Sequence, residues 1–159
     1  MIGESEFPVT RVGRLDEAAL ERFAGRLAQS VQVPMVIFLE GDLGAGKTTL
    51  CRALIQALGH TGRVKSPTYG LLERYELQEL DVLHLDLYRI GDPGELEYLA
   101  IADLFDDRTL LLVEWPERGQ GALPVADLLI SLEHAHDERF VYLKPRTQRG
   151  YAVCRASTN

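Results

Sequence analysis

A glycine-rich segment followed by lysine and threonine has the spacing that lets a backbone hold a phosphate group. It reads Gly-x-x-x-x-Gly-Lys-Thr from Gly41 to Thr48. Its glycines allow successive N–H groups to point at an anion, and a helix that begins at the loop adds a partial positive charge. Lys47 can reach the β- and γ-phosphates, and the Thr48 hydroxyl can ligate Mg²⁺. We therefore predict that this loop binds Mg-ATP or Mg-ADP through Asp42, Leu43, Gly44, Ala45, Gly46, Lys47, Thr48 and Thr49.

Phosphate chemistry in such a loop also requires an acid on a neighbouring strand, which holds Mg²⁺ or orients water. Asp86 follows an apolar strand and shares a face with His84, and Glu114 directly follows the apolar run 110–113. Either carboxylate alone could be a solvated strand end. With the loop present, we predict that at least one of them serves the metal. The candidate metal ligands are Thr48, Glu114 and Asp86.

Three further residues have two interpretations each. For His84 the sequence favours a hydrogen-bonded histidine of the core, and for Trp115 it favours packing over stacking on a base. Thr68, in the segment Ser66–Tyr69, could sense the γ-phosphate as switch segments do, or its hydroxyl could cap a turn.

The elements that must position these residues alternate between strand and helix. Met35–Leu39 is a short apolar run typical of a strand buried on both faces. Apolar residues at helical spacing predict one helix over Asp16–Val31, capped by Asp16, and another from Lys47 that ends at Gly59. The remaining predictions are two strands in Pro67–Leu87 joined near Gln78–Leu80, a helix from Asp92-Pro93-Gly94-Glu95 to about Phe105, a strand at Leu110–Val113, and a hairpin of Leu128–Glu133 with Phe140–Lys144 across Ala135–Glu138.

This alternation predicts an α/β fold with a mainly parallel central sheet flanked by helices and a C-terminal hairpin. The chain has 159 residues, of which 46 % are apolar, so one core and one domain over residues 1–159 are expected. The longest apolar runs are too short to cross a bilayer, and the first residues carry no signal-peptide pattern. We therefore expect a cytoplasmic protein without a membrane segment.

Charge and cysteine content narrow the possible partners. The net charge of −7 disfavours autonomous nucleic-acid binding, which depends on a basic surface. Cys51 and Cys154 lack Cys-x-x-Cys spacing, so we expect reduced, buried thiols rather than a metal or redox site. The locally basic tail is expected to be a solvated edge; it contains Lys144, Arg146, Arg149 and Arg155.

Taken together, these segments resemble the bacterial TsaE (YjeE-type) ATPases of tRNA threonylcarbamoyladenosine synthesis. The resemblance runs from about Phe38 to Gly119, half of the chain, and it is specific as an ordered set. Its segments are Gly41-Asp-Leu-Gly-Ala-Gly-Lys-Thr-Thr49, Lys65-Ser-Pro-Thr-Tyr69, His84-Leu-Asp-Leu-Tyr-Arg89, Glu95-Leu-Glu and Val113-Glu-Trp-Pro-Glu117.

The resemblance implies a P-loop ATPase that works with TsaB and TsaD. Those partners would transfer the threonylcarbamoyl group to the adenosine beside the anticodon, and this chain would use ATP to drive or reset their complex. Transfer RNA would then be reached only through the complex, in agreement with the acidic charge. Lys47 and Thr48 match the family's phosphate and Mg²⁺ residues, Thr68 its switch threonine, and Asp86 and Glu114 its functional acids.

Two other classes share the loop. A small-molecule or nucleotide kinase would need a second substrate site and usually an arginine-rich lid, whereas only Arg118 follows Glu114 closely. A nucleotide-dependent switch without turnover is opposed only weakly by Asp86 and Glu114. A GTPase would need an Asn-Lys-x-Asp segment, which the sequence lacks.

Overall fold

The apolar run that begins at Met35 lies at the centre of a seven-stranded sheet in the computed structural model, which describes residues 6–65, 67, 71–99 and 101–158. The strands are β1 (Thr10–Leu15), β2 (Met35–Glu40), β3 (Leu72–Glu76), β4 (Asp81–Asp86), β5 (Thr109–Glu114), β6 (Leu128–Ala135) and β7 (Glu138–Pro145). Their spatial order is β1-β7-β6-β2-β5-β4-β3.

The four central strands β6, β2, β5 and β4 are parallel. Antiparallel strands complete the sheet at both edges, β3 on one side and the β6–β7 hairpin with β1 on the other. The predicted α/β class, the parallel centre and the C-terminal hairpin are therefore confirmed, and the edges make the sheet mixed.

Among the residues that the structure describes, four α-helices flank the sheet: α1 (Glu17–Ser30), α2 (Lys47–Ala57), α3 (Ile101–Leu104) and α4 (Gln148–Thr158). The predicted cap of α1 is confirmed, because the Asp16 carboxylate accepts a hydrogen bond of 2.8 Å from the N–H of Ala19. Gly59 follows α2 with a φ of 117°, a left-handed conformation that favours glycine and ends the helix as predicted.

The predicted continuous helix from Asp92 to about Phe105 is wrong. Asp92 does cap this segment, since its carboxylate accepts from the N–H of Gly94 at 2.9 Å. However, the N–H of Glu95 donates to the carbonyl of Asp92 three residues earlier, which is the hydrogen-bond spacing of a 3₁₀ helix. Gly94 also lowers the α-helix propensity of this turn. The segment forms a 3₁₀ helix at Pro93–Leu99, followed by the short α3.

Within the described residues, the structure adds three elements that the sequence analysis did not predict: β1, a second 3₁₀ helix at Pro116–Gly119, and α4. The helix α4 contains part of the basic tail, and Arg146, Arg149 and Arg155 are exposed, as expected for a solvated edge, whereas Lys144 is half-buried. Arg149 donates to the carbonyl of Pro34, and Lys144 forms an ion pair of 3.1 Å with Glu40.

Apolar residues fill both faces of the sheet because successive side chains of a strand alternate between its faces. One face of β2 presents Met35 and Ile37 to a large cluster with α1, α2 and α4. The opposite face presents Val36 to a smaller cluster with β4, β5, the first 3₁₀ helix and α3. Cys51 and Cys154 pack in the larger cluster as buried free thiols, as predicted.

The register of the parallel strands brings their carboxyl ends together. Glu114 at the end of β5 lies opposite Leu39 of β2 and opposite Asp86 at the end of β4. The loop from Gly41 to Gly46 leaves β2 at the same edge, where parallel α/β sheets bind ligands. Among the described residues, no helix combines the length and apolar character needed to cross a bilayer.

Candidate functional site

The segment between β2 and α2 forms a tight loop that only glycine permits at its two ends. Gly41 has a φ of 149°, and a Cβ there would lie 2.4 Å from the carbonyl oxygen of Leu132. Gly46 has a φ of 107° and precedes α2 without a side chain that could cap it. The first-turn N–H groups of α2 therefore receive no side-chain cap from this position, an arrangement that suits an anion.

Lys47 lies inside this loop. Its ammonium donates hydrogen bonds to the carbonyl oxygens of Gly41 and Asp42, and its Nζ is 4.1 Å from the centroid of the Trp115 ring. Burial lowers the pKa of Lys47, and nearby carboxylates, with Glu114 foremost, oppose that effect. The loop therefore surrounds one strongly desolvated cation, which can donate to phosphate oxygens.

Glu114 joins the loop to the core of the sheet. One carboxylate oxygen accepts a hydrogen bond of 2.8 Å from the Thr48 hydroxyl, and the other lies 2.7 Å from Nε2 of His84. His84 and Glu114 are each only 1 % exposed, so the contact between them is shielded from water. The interpretation of His84 as a hydrogen-bonded core histidine is confirmed.

Cys51 lies behind this pair, with its sulfur, a ring nitrogen of His84 and a carboxylate oxygen of Glu114 within 4.8 Å of one another. Burial raises the pKa of the Cys51 thiol well above its usual value, and the negative charge of Glu114 adds to the effect. The thiol is therefore a neutral neighbour of Glu114.

Asp86 completes the group of acids. One of its carboxylate oxygens accepts a hydrogen bond of 3.0 Å from the N–H of Tyr88. Burial raises the pKa of Asp86, and the nearby charge of Glu114 raises it further. Thr48, Glu114 and Asp86 together offer hydroxyl and carboxylate oxygens, the ligand type that Mg²⁺ prefers, so the donor set fits this ion.

Trp115 follows Glu114 in a left-handed backbone conformation, with a φ of 59° that is uncommon for a bulky residue. Its ring packs against that of Tyr88, with 5.0 Å between the centroids, and against the guanidinium of Arg118 at 5.4 Å. The ring also covers the ammonium of Lys47. The turn at Trp115 thus aims the tryptophan at the loop, and the packing interpretation agrees with these contacts.

A cavity of about 510 Å³ opens between the loop, the two acids and the tryptophan. Most of the predicted site residues line it, namely Leu43, Gly44, Gly46, Lys47, Thr48, Thr49, Asp86 and Glu114. Asp42 instead lines a neighbouring cavity on the other side of the loop, and Ala45 is 1 % exposed and packs in the core. Thr68 lies outside the residues that the structure describes.

The β6–β7 hairpin contributes residues that the sequence analysis missed. Nε2 of His134 lies 3.1 Å from the carbonyl oxygen of Leu43, so the hairpin contacts the tip of the loop. Arg139 lines the cavity and lies against Gly46. The sequence predicts a hairpin here, but the spacing of residues within the hairpin does not indicate that it lies beside the loop.

A buried parallel strand that runs into a glycine loop, and from there into a helix opening with Lys47 and Thr48, defines this chain as a P-loop protein. A family model described as "TsaE: Threonylcarbamoyl adenosine biosynthesis protein TsaE" matches residues 15–141. Since this match covers well over half of the chain, the chain belongs to the TsaE family, which takes part in tRNA threonylcarbamoyladenosine biosynthesis. The family resemblance of the sequence motifs is confirmed.

Individual relatives agree with the family model. The tRNA threonylcarbamoyladenosine biosynthesis protein TsaE of Haemophilus influenzae is 42 % identical over 149 residues, which are 91 % of this chain and 94 % of that protein. TsaE of Bacillus subtilis is 39 % identical over 103 residues, 65 % of this chain and 64 % of that protein. The crystal structure of Bacillus subtilus YdiB matches with a TM-score of 0.79 and 26 % identity, covering 96 % of this chain and 97 % of that one.

Proposed function

We propose that this protein binds Mg-ATP in the Gly41–Thr48 loop and hydrolyses it, working in the cytoplasm with TsaB- and TsaD-type partners in tRNA threonylcarbamoyladenosine formation. The observation that carries the proposal is the bond of 2.8 Å between the Thr48 hydroxyl and Glu114, directly beside the buried Lys47. Two oxygen ligands and a cation are thereby held at one helix N-terminus, as Mg-polyphosphate recognition requires.

Each residue has a distinct role in this proposal. Lys47 would donate hydrogen bonds to the phosphate oxygens. Thr48 and one acid, Glu114 or Asp86, would hold Mg²⁺. The bound ion would neutralise part of the negative charge on the phosphates. The remaining acid would position the attacking water, and Thr68 would sense the γ-phosphate. Under this proposal the protein drives or resets the partner complex, and tRNA is contacted through the partners.

Calorimetric titration with ATP and ADP, with and without Mg²⁺, tests nucleotide binding. Lys47→Ala should weaken binding strongly because it removes a charge-assisted contact, whereas Thr48→Ala should mainly reduce the Mg²⁺ dependence. Unchanged affinity in Lys47→Ala would overturn the loop as the binding site. Product analysis then identifies the reaction, since an ATPase releases free phosphate, a kinase phosphorylates an acceptor, and a switch does neither.

A further inference from the structure

Arg139, in the second position of β7, lies against the loop from the hairpin side. Its Nε and Cζ are 3.3 and 3.5 Å from the position that a Cβ on Gly46 would occupy. The side chain lines the same cavity as Lys47 and Thr49. The absence of a side chain at Gly46 therefore makes room for a guanidinium next to the N-terminus of α2.

Two of the three guanidinium nitrogens are held there without acceptors among the described residues. Nε and Nη1 of Arg139 are buried, and neither has a hydrogen-bond partner within the described part of the chain. The adjacent carboxylate of Glu138 is already paired with Arg14 at 2.9 Å. Burying charged donors without an acceptor is unfavourable and rare in folded proteins, so this position requires an explanation.

We propose that Arg139 binds the phosphate groups of the nucleotide held by the loop. This inference rests on the proposed function and adds a second cation of this chain to Lys47. A polyphosphate offers several charged oxygens, and the planar fork of an arginine matches them better than a single ammonium does. Oxygens of bound phosphates would accept hydrogen bonds from the guanidinium nitrogens that have no acceptor in the described part of the protein.

Titration calorimetry with ADP and with inorganic pyrophosphate, which has no base or ribose, tests this role. Arg139→Gln should weaken binding of both ligands about tenfold or more, because a charged hydrogen bond is lost. Arg139→Lys keeps the charge but loses the fork and should bind more weakly than wild type. Arg11→Gln, the matched control in the neighbouring strand β1, removes an exposed charge that lies over the Phe140 ring and should change binding by no more than about twofold.

The outcomes separate the two proposals. If the wild type binds neither ADP nor ATP, the proposed function is wrong. If the wild type binds ADP and pyrophosphate and Arg139→Gln binds these two ligands equally well, only the role of Arg139 is wrong. Loss of ADP binding with unchanged pyrophosphate binding would place Arg139 at the base or ribose and would also overturn this inference. Thermal unfolding without ligand shows which variants are folded, and Arg139→Lys provides the test if the glutamine variant is not.

Discussion

At the scale of single residues, Glu114 is the point where the polar contacts of the site meet. One carboxylate oxygen of Glu114 is hydrogen-bonded to Thr48 and the other to His84. Because each oxygen has its own partner, the carboxylate has a fixed orientation before any ligand arrives. Such support of a metal-binding group by a residue behind it commonly changes metal affinity by about 10- to 100-fold when it is removed.

The first prediction concerns this support. His84→Leu should reduce the Mg²⁺-dependent part of ATP affinity by about tenfold, because Glu114 loses its inner partner. His84→Gln keeps a side-chain N–H that can reach the carboxylate and should retain most of the affinity. Calorimetry with and without Mg²⁺ measures both variants. Equal losses in the leucine and glutamine variants would show that the hydrogen bond to Glu114 is not what matters.

The second prediction uses the single tryptophan of the chain. Since the ammonium of Lys47 is 4.1 Å from the Trp115 ring, phosphates that draw Lys47 toward them change the environment of that ring. We expect Trp115 fluorescence to change on addition of Mg-ATP or Mg-ADP and to respond much less in Lys47→Ala. A flat titration of the wild type under conditions where calorimetry shows binding would contradict this coupling.

At the scale of elements, Asp127 connects the start of β2 to the start of α4. Its carboxylate accepts from the N–H of Val36 at 2.8 Å and from the hydroxyl of Thr147 at 2.7 Å. Gly150, in the first turn of α4, packs directly on the backbone of Asp127. The helix α4 is thereby fixed to the strand that leads into the phosphate loop.

The third prediction follows from this close approach. A Cβ at Gly150 would lie 1.8 Å from the Asp127 carbonyl oxygen, so Gly150→Ala should lower the free energy of unfolding by about 2 kcal/mol or more. The matched control is Gly25→Ala in α1, where no atom lies within 4 Å of the added methyl group. This control should raise stability by about 0.5–1 kcal/mol. Urea unfolding distinguishes the two, and equal stabilities would contradict the packing of α4.

The fourth prediction concerns the turn that begins β5. Asp106 accepts hydrogen bonds from the Thr109 hydroxyl and from the N–H of Arg108, and these bonds lower its pKa, with the Thr109 contact foremost. Its stabilising contribution is therefore present above the ordinary pKa of 3.8 and is lost as the pH falls through the folded-state pKa. Asp106→Ala should lower Tm at pH 7, and the difference from wild type should narrow below pH 3.8.

The neighbouring Asp107 provides the control for this experiment, because its exposed side chain makes no hydrogen bonds like those of Asp106 within the described part of the chain. Asp107→Ala should leave Tm close to that of wild type across the same pH range. A constant Tm deficit for Asp106→Ala in acid would mean that the ionised carboxylate is not the stabilising group.

The sequence allows the phosphate loop and the parallel centre to be predicted because local patterns define both. The spacing of Gly41, Gly46 and Lys47 indicates a loop whose backbone needs glycine at both ends. The apolar run before the loop indicates a strand that is buried on both faces. The helix α4 gives no comparable pattern, since its contacts rely on small residues such as Gly150. Arg139 was missed for another reason: only the register of a distant hairpin brings it to Gly46.

At the scale of the whole molecule, the proposed function assigns cations to the phosphates and acids to the metal and to water. The fifth prediction is that the isolated protein hydrolyses ATP slowly and that TsaB- and TsaD-type partners accelerate it. Negative charge spreads over the γ-phosphoryl oxygens in the transition state, and an arginine from a partner can add about 10³- to 10⁵-fold in P-loop systems. Partners could instead accelerate hydrolysis by aligning the attacking water through Asp86 or Glu114.

Steady-state phosphate release, measured alone and with saturating partners, tests this prediction. Asp86→Ala and Glu114→Ala should retain the Mg²⁺-independent part of nucleotide binding but lose most of the stimulated rate, because water and metal are no longer held. Arg74→Ala, on the outer strand β3, serves as a charge-changing control and should be stimulated like wild type. Full-rate hydrolysis by the protein alone would overturn the requirement for partners.

The antiparallel edges of the sheet have a further consequence, for solubility. An exposed edge strand presents unpaired backbone groups that can template pairing with another chain. The edge strand β3 carries Glu73, Arg74 and Glu76, and β1 carries Arg11 and Arg14 with an irregular register at Gly13. A second molecule that approached either edge would meet charged side chains, and at β1 also a broken ladder. The same strands that make the sheet mixed thus protect it from growing into an aggregate.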